Sequence, residues 1–196
     1  MSGELQGILR LVGRTVTDPA GVAQELMRRN YETQTLWMGL LLVSVLSVLL
    51  LAVSNALLPT SVPEGAVVLS PFAYGAIIAA SIVLLVYAVH LVGRLFGGTG
   101  TFPQTMVLMI WLQVVAMAVQ VAQILAMLIL PPLAGMVSLA GAFLMLYCLM
   151  QFINALHGFD SLVKAIGVFV VAVIAIGLFL AVVLSLVGVN LAGAPA

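Results

Sequence analysis

Charged side chains are scarce in this sequence. Only six Lys and Arg and six Asp and Glu occur among 196 residues, and 64% of the residues are hydrophobic. A soluble domain has about a quarter of its residues charged. A water-soluble fold of this length would need more charge to cover its surface, so the composition predicts an integral membrane protein. The net charge of zero gives no electrostatic basis for a nucleic-acid partner.

Side chains that could act in catalysis or bind a metal are also few. The single cysteine, Cys148, cannot form an intrachain disulfide or a cysteine-rich metal site. Two histidines with one cysteine do not make a zinc site. The segment Gly97-Gly98-Thr99-Gly100 lies between two apolar runs and lacks the strand and the lysine of a phosphate-binding loop. We therefore predict a protein that is not an enzyme and has no catalytic residue, cofactor or metal.

Long apolar runs dominate what is present. A helix needs about 20 apolar residues to cross the hydrocarbon core. Five runs qualify, which predicts an all-α membrane protein with a five-transmembrane-helix bundle: 36–58, 72–96, 103–130, 133–157 and 161–187. The first could instead be a signal peptide cleaved near Ala52-Val53-Ser54, but its length and its distance from the N-terminus favour a retained helix.

Residues typical of turns and helix ends separate these apolar runs. The pair Pro131-Pro132 predicts a tight hairpin between the third and fourth spans. Gly158 is typical of a helix C-cap, and Asp160 is the expected N-cap of the last span. The predicted organisation is a cytosolic N-terminal segment (1–35), a membrane domain (36–188) and a short external tail (189–196).

Basic residues predict the orientation. In a five-span protein all six fall on one side: Arg10, Arg14, Arg28, Arg29, Arg94 and Lys164. Cytoplasmic loops carry an excess of Lys and Arg, so we expect the N-terminus inside and the C-terminus outside. An even number of spans would split the basic residues between the two sides. Short loops and the lack of an Asn-x-Ser/Thr sequence favour a bacterial inner membrane.

The N-terminal segment has a pattern of its own. Apolar residues recur at helical spacing at Leu5, Ile8, Leu9, Val12 and Val16, which predicts a short amphipathic helix on the membrane surface. Thr17-Asp18-Pro19 then indicates a second helix start, with Asp18 as N-cap and Pro19 in the first turn. Membrane anchoring is the favoured role of the segment, and docking of a cytosolic partner is the alternative.

Polar residues inside the spans are uncharged amides. Gln113, Gln120 and Gln123 share one face of the third span, and Gln151 and Asn154 share a face of the fourth. An interhelical hydrogen bond in lipid contributes about 0.6–2 kcal/mol. We interpret these amides as contacts between helices, with a polar groove for a ligand or headgroup as the alternative. Two pairs of small residues also indicate close helix packing: Gly75 with Ala79, and Ser138 with Ala142.

Four cationic or titratable side chains near the predicted cytosolic interface are candidate contacts for lipid headgroups: His90, Arg94, His157 and Lys164. The simpler interpretation is that they extend to the interface, and that Asp160 and Lys164 form a pair one turn apart. No Asp, Glu, Lys or Arg lies at bilayer depth. This weighs against ion-coupled transport but leaves open a passive pore or a lipid scramblase.

Three segments together resemble the Yip1 domain family. They are Thr17-Asp18-Pro19, the stretch Gly97-Gly98-Thr99-Gly100-Thr101-Phe102 followed by Gln104-Thr105, and His157-Gly158-Phe159 followed by Ser161 and Lys164-Ala165. The resemblance implies five membrane helices and a cytosolic N-terminus. Eukaryotic members act in vesicle traffic and associate with Rab GTPases and with one another. The tail here lacks their Asp-Leu-Tyr-Gly-Pro segment, so only the fold and the membrane-assembly character are carried over from the resemblance.

Two functional hypotheses follow. The first is a non-enzymatic membrane protein that acts through membrane-protein assembly or bilayer organisation, with membrane lipids and a membrane protein or a second copy of the chain as partners. The second is a passive small-molecule permease or a lipid-translocating protein that uses the glutamine face of the third span.

Overall fold

The computed structural model describes residues 2–58 and 69–186, and this part of the chain is helical, with no strand. Seven helices follow one another: α1 (Ser2–Thr17), α2 (Pro19–Arg28), α3 (Thr33–Leu57), α4 (Pro71–Leu95), α5 (Phe102–Ile129), α6 (Pro131–His157) and α7 (Leu162–Leu186).

Helices α3 to α7 are the membrane-length helices. All five are long and apolar enough to cross a bilayer, with mean hydropathy between 2.0 and 3.1. The predicted all-α fold with five spans is therefore confirmed. The largest difference in a helix start is at α3, which begins at Thr33 rather than Leu36. Residues 59–68 of the predicted link between the first two spans (59–71) lie outside the described residues. So do residue 187, the predicted end of the last span, and the predicted external tail (189–196).

Prolines at the α5–α6 hairpin lie inside a helix, whereas the sequence placed them between two helices. Pro131 and Pro132 form the start of α6. Leu130 is extended, with φ −155° and ψ 107°, and is both the residue that ends α5 and the N-cap of α6. Proline is tolerated in a first turn, because its missing N–H would have no helical partner there. The hairpin link is therefore a single residue.

The α6–α7 turn confirms one predicted cap and corrects the other. Gly158 ends α6 in the left-handed conformation, with φ 63°, and its N–H donates to the Asn154 carbonyl. The N-cap of α7 is not Asp160. The Ser161 carbonyl accepts the first helical bonds, from Lys164 N at 3.1 Å and Ala165 N at 3.4 Å. Ser161 therefore occupies the N-cap position, one residue later than predicted.

The N-terminal helices pack onto one end of the bundle. Asp18 is the N-cap of α2, as predicted, since its Oδ1 accepts from Gly21 N at 2.9 Å. Membrane anchoring was the favoured role of the whole segment, but the apolar side of α2 packs against protein. Its apolar residues Val22, Ala23 and Leu26 are buried in the core of the bundle, where α2 packs against α5 and α6. Ile8 and Leu9 of α1 remain exposed.

Spans that are consecutive in the chain run in opposite directions and share one basic end. α5 packs against α3, α4 and α6, and α7 packs against α4 and α6. At the end that carries α1 and α2, the α4–α5 link contacts the α6–α7 turn through a Thr99 N to His157 O hydrogen bond of 3.3 Å. Phe96 of the same link contacts Gly167 of α7. The candidate functional residues described below lie mostly at this end.

Candidate functional site

A groove of about 1000 Å³ lies where α1 and α2 meet the starts of α3 and α5. Three arginines line it on the side of α1 and α2, here called its wall: Arg10 and Arg14 of α1 and Arg29 after α2. On the side of α3 and α5, here called its floor, Thr35 is joined by five residues without a charge or hydroxyl group: Leu36, Gly39, Val107, Ile110 and Trp111. We call this feature the basic groove. It combines cationic and apolar surfaces within one concave site.

One carboxylate joins two of the arginines. Glu25 Oε2 lies 2.9 Å from Arg14 Nη1, and Glu25 Oε1 lies 2.9 Å from Arg29 Nη2. The hydrogen bonds from Arg29 and then Arg14 hold the pKa of the Glu25 carboxyl below its ordinary value. The Arg14 bridge connects α1 to α2, so this network positions α1 over the groove.

A second contact ties α1 to the membrane helices. The Trp111 indole donates to Thr15 Oγ1 at 3.0 Å, and the Thr15 hydroxyl donates to the Leu11 carbonyl at 2.8 Å. Cys148 Sγ of α6 lies 3.7 Å from the Thr15 carbonyl. Thr15 and Cys148 are both fully buried. Buried polar groups are satisfied here by partners from other helices, which fixes the end of α1 on α5 and α6.

His157 lies in a cradle of glycines at the same end of the bundle. The residue is 2% exposed. Its Nε2 lies 3.2 Å from the Val89 carbonyl of α4, and its ring stacks on Phe159 at 5.3 Å between centroids. A Cβ at Gly93 or Gly98 would overlap the imidazole. The backbone of α4 and of the link after it therefore closes around the ring.

Three polar atoms near the cradle have no hydrogen-bond partner in the described part of the chain. They are His90 Nδ1, His157 Nδ1 and Asn154 Oδ1, and all three are buried. The His90 ring also packs edge-on against Phe102, with 5.8 Å between centroids. His90 and His157 are thus enclosed by protein atoms on these sides. Of the predicted headgroup contacts, His157 is buried, whereas His90 is half-buried.

The Yip1 domain model matches residues 13–184. The chain belongs to the Yip1 domain family. The resemblance seen in the sequence is therefore confirmed. No curated protein shows significant similarity to the chain, and no solved structure does either.

Two of the three segments that resemble the Yip1 domain come together in space. Gly98 and Gly100 of the α4–α5 link pack against His157 and Leu156, with no room for a Cβ at either glycine. Thr101 then begins α5 with a capping box: its Oγ1 accepts from Gln104 N at 3.4 Å, and its own N–H donates to Gln104 Oε1 at 3.0 Å. In this Yip1 domain the glycine-rich segment and the His157 turn are two halves of one packed contact.

Glutamines of α5 are divided between packing and partial exposure. Gln113 Nε2 donates to Ser47 Oγ of α3 at 3.1 Å, and the Ser47 hydroxyl donates to the Val43 carbonyl at 2.8 Å. Gln120 and Gln123 are half-buried further along α5. Gln151 and Asn154 of α6 are half-buried as well. The structure therefore brings one predicted amide to another helix and does not gather the five into a single site.

The remaining candidates lie on the surface of the basic end. Arg94 and Lys164 are exposed. Lys164 Nζ lies 5.9 Å from the centroid of the Phe159 ring, in cation–π range of an aromatic face. These two and the half-buried His90 stay candidates for headgroup contact, whereas His157 is buried.

Sequence reasoning missed the basic groove. It used Arg10, Arg14 and Arg29 only to assign topology, and it gave no role to Trp111. Spacing along α1 did show that its arginines share the face opposite the apolar residues. No sequence signal showed that α2 would bury its own apolar face in the bundle and turn the arginines of α1 toward α3 and α5.

Proposed function

We propose that this Yip1-domain protein is a non-enzymatic component of the membrane that acts by assembling with other membrane proteins and so organising the bilayer around it. One observation supports this proposal above the others. A pair of small residues in the middle of a membrane helix, Ser138 and Ala142 of α6, is exposed on the outside of the bundle. Small residues allow two helices to approach closely in lipid.

The other pair of small residues packs against a helix of the same chain. Gly75 and Ala79 of α4 are half-buried, and a Cβ at Gly75 would lie 3.0 Å from Val48 of α3. That pair is used for packing within the chain. Ser138 and Ala142 have the same spacing on α6 but face away from the other helices of the bundle. A helix from a second copy or from another membrane protein fits this face.

The transport alternative has less support. The basic groove and a smaller cavity of about 180 Å³ both lie at the start of α5, and neither is lined by Gln113, Gln120 or Gln123. Gln113 instead bonds to Ser47, which is the behaviour of a packing contact. A permease that uses the glutamine face would need water to reach all three amides.

The proposed location follows from the distribution of charge. We place the basic end, with α1 and α2, in the cytoplasm, because positively charged segments are retained there. The other end then faces outside. A bacterial inner membrane fits the short links between helices, such as the single residue Leu130 between α5 and α6.

The test compares two alanines that lie on different sides of α6. Ala142 and Ala140 are both exposed and are two positions apart, so they lie on nearly opposite sides of the helix. Each is changed to leucine, and the protein is extracted from its native membrane in mild detergent. Light scattering gives the protein mass of the particle, and the co-purifying proteins are identified.

Assembly predicts a particle heavier than one chain for the unchanged protein and for Ala140→Leu. Ala142→Leu should give a single chain, because the larger side chain separates the two helices. A single chain for the unchanged protein, together with solute flux after reconstitution, would contradict the proposal and favour transport. Equal loss of mass in both variants would show that the small pair is not the contact.

A further inference from the structure

The basic groove has a cationic wall and a largely apolar floor, and neither surface takes part in the proposed assembly through α6. Its wall carries three guanidinium groups and one carboxylate, which leaves an excess of positive charge. Glu25 shares its two oxygens between Arg14 and Arg29, whose side chains are still 46% and 54% exposed. Arg10 lines the same wall and is exposed. Arginine binds phosphate oxygens bidentately, so this wall fits a phosphate group.

The floor of the groove extends from the membrane surface into the bilayer. Leu36 and Gly39 belong to the first two turns of α3, and Trp111 lies nine residues into α5, about 13 Å along the axis at 1.5 Å per residue. A headgroup region and the first part of the hydrocarbon core cover about this depth. An apolar chain fits against the floor, whereas a soluble anion would contact only the wall.

Position and charge together identify the occupant. We propose that the basic groove binds one anionic phospholipid, with its phosphate against Arg10, Arg14 and Arg29 and an acyl chain along Gly39, Ile110 and Trp111. This inference concerns a ligand and stands independently of the assembly surface on α6. In this arrangement the lipid lies between α1 and the membrane helices, and so adds to the contacts that hold α1 on the bundle.

Trp111 offers a direct readout of an acyl chain in the groove. The chain has two tryptophans, Trp37 and Trp111. Trp37 is 39% exposed on α3 and would be quenched by any surrounding lipid. Trp37→Phe leaves Trp111 as the only tryptophan. This full-length protein is reconstituted into phosphatidylcholine bilayers that contain a fixed fraction of one brominated lipid. The brominated lipid is either phosphatidylglycerol or phosphatidylcholine, with the bromine on its acyl chains. Bromine quenches indole fluorescence on contact.

We expect brominated phosphatidylglycerol to quench Trp111 more strongly than brominated phosphatidylcholine at the same fraction. Arg10→Gln should lower this preference about fivefold, the factor for one basic side chain at an anionic surface. Arg10 is the choice because it is absent from the Glu25 bridges that hold α1. The matched control is Arg28→Gln, which removes an exposed arginine of α2 that does not line the groove.

Three results would overturn the proposal. Equal quenching by the two lipids would show that the groove does not select an anionic headgroup. Equal effects of Arg10→Gln and Arg28→Gln would show attraction by the whole basic end rather than by a site. Reversal of the quenching by excess inorganic phosphate, at constant ionic strength, would identify a soluble anion as the occupant. A retained preference in phosphate and in Arg28→Gln supports the phospholipid.

Discussion

Gly93 of α4 lies directly against the imidazole of His157 on α6, and the space between them cannot hold a methyl group. Gly98 lies on another side of the same ring. The imidazole is therefore a packing element that joins the end of α4, the glycine-rich link and the end of α6. Its Nε2 contact with the Val89 carbonyl fixes the ring within this cradle.

Gly93→Ala should consequently destabilise the bundle. Alanine is the better helix former, so any loss must come from overlap with His157. Overpacking of a core by one methyl group costs about 1–3 kcal/mol, and we expect a lower unfolding temperature in detergent. Gly177→Ala is the matched control, because α7 leaves open space around Gly177. If Gly93→Ala were as stable as Gly177→Ala, the cradle would not be tightly packed.

The Gln113–Ser47 hydrogen bond should contribute measurably to packing between α3 and α5. We expect a coupling free energy of about 0.6–2 kcal/mol in a double-mutant cycle of Gln113→Ala and Ser47→Ala, measured by unfolding in mixed micelles. Gln120→Ala with Ser47→Ala serves as the control cycle and should give no coupling. A coupling equal in both cycles would argue against a specific bond.

Acid should release α1 from the bundle through Glu25. Its folded pKa is below the ordinary carboxyl value, because Arg29 and Arg14 bond to it. The network therefore contributes stability above the ordinary carboxyl pKa and loses it as the pH falls through the lowered folded value. Trp111 reports the change, since its indole donates to Thr15 of α1. In a Trp37→Phe background its emission should shift as the pH falls.

Variants separate this titration from that of other carboxyl groups. Glu25→Gln should show the shifted Trp111 emission already at neutral pH and no acid transition of this kind. Glu32→Gln removes a nearby exposed carboxyl group outside the bridges to Arg14 and Arg29, and should keep the transition. An unchanged acid transition in Glu25→Gln would assign it to another group.

Cys148 should be protected from thiol reagents until α2 leaves the bundle. The residue is fully buried, next to the Thr15 carbonyl. Ala23→Leu enlarges a fully buried residue of α2 and should speed maleimide labelling of Cys148 about tenfold, the factor for 1.4 kcal/mol of overpacking. Gln24→Leu, at the exposed neighbouring position, should leave the rate near that of the unchanged protein. Fast labelling of the unchanged protein would contradict the burial.

Spans and caps were predictable because they depend on short stretches of sequence. Hydrophobic length gave α3 to α7, Asp18-Pro19 gave the start of α2, and Gly158 gave the end of α6. The errors were also local. Pro131 and Pro132 fit either a link or a first helical turn, and only the extended Leu130 decides between them.

Packing between distant segments was not predictable in the same way. An amphipathic helix beside a membrane can bury its apolar face in lipid or in protein, and the pattern of Val22 and Leu26 is the same for both. The cradle of His157 depends on three segments that meet only after folding. The family resemblance pointed to the glycine-rich link and the His157 turn, but not to Gly93 of α4, and it did not show that these glycines contact the ring.

The most direct test of the whole account is the location of the two ends of the helical bundle. Five crossings with every Lys and Arg at one end predict that a green fluorescent protein fused before α1 is fluorescent in the cytoplasm. Alkaline phosphatase fused after Leu186 should be active on the other side of the membrane. Inactive phosphatase after Leu186, with a fluorescent reporter at both ends, would put the ends in one compartment and contradict the five-span topology.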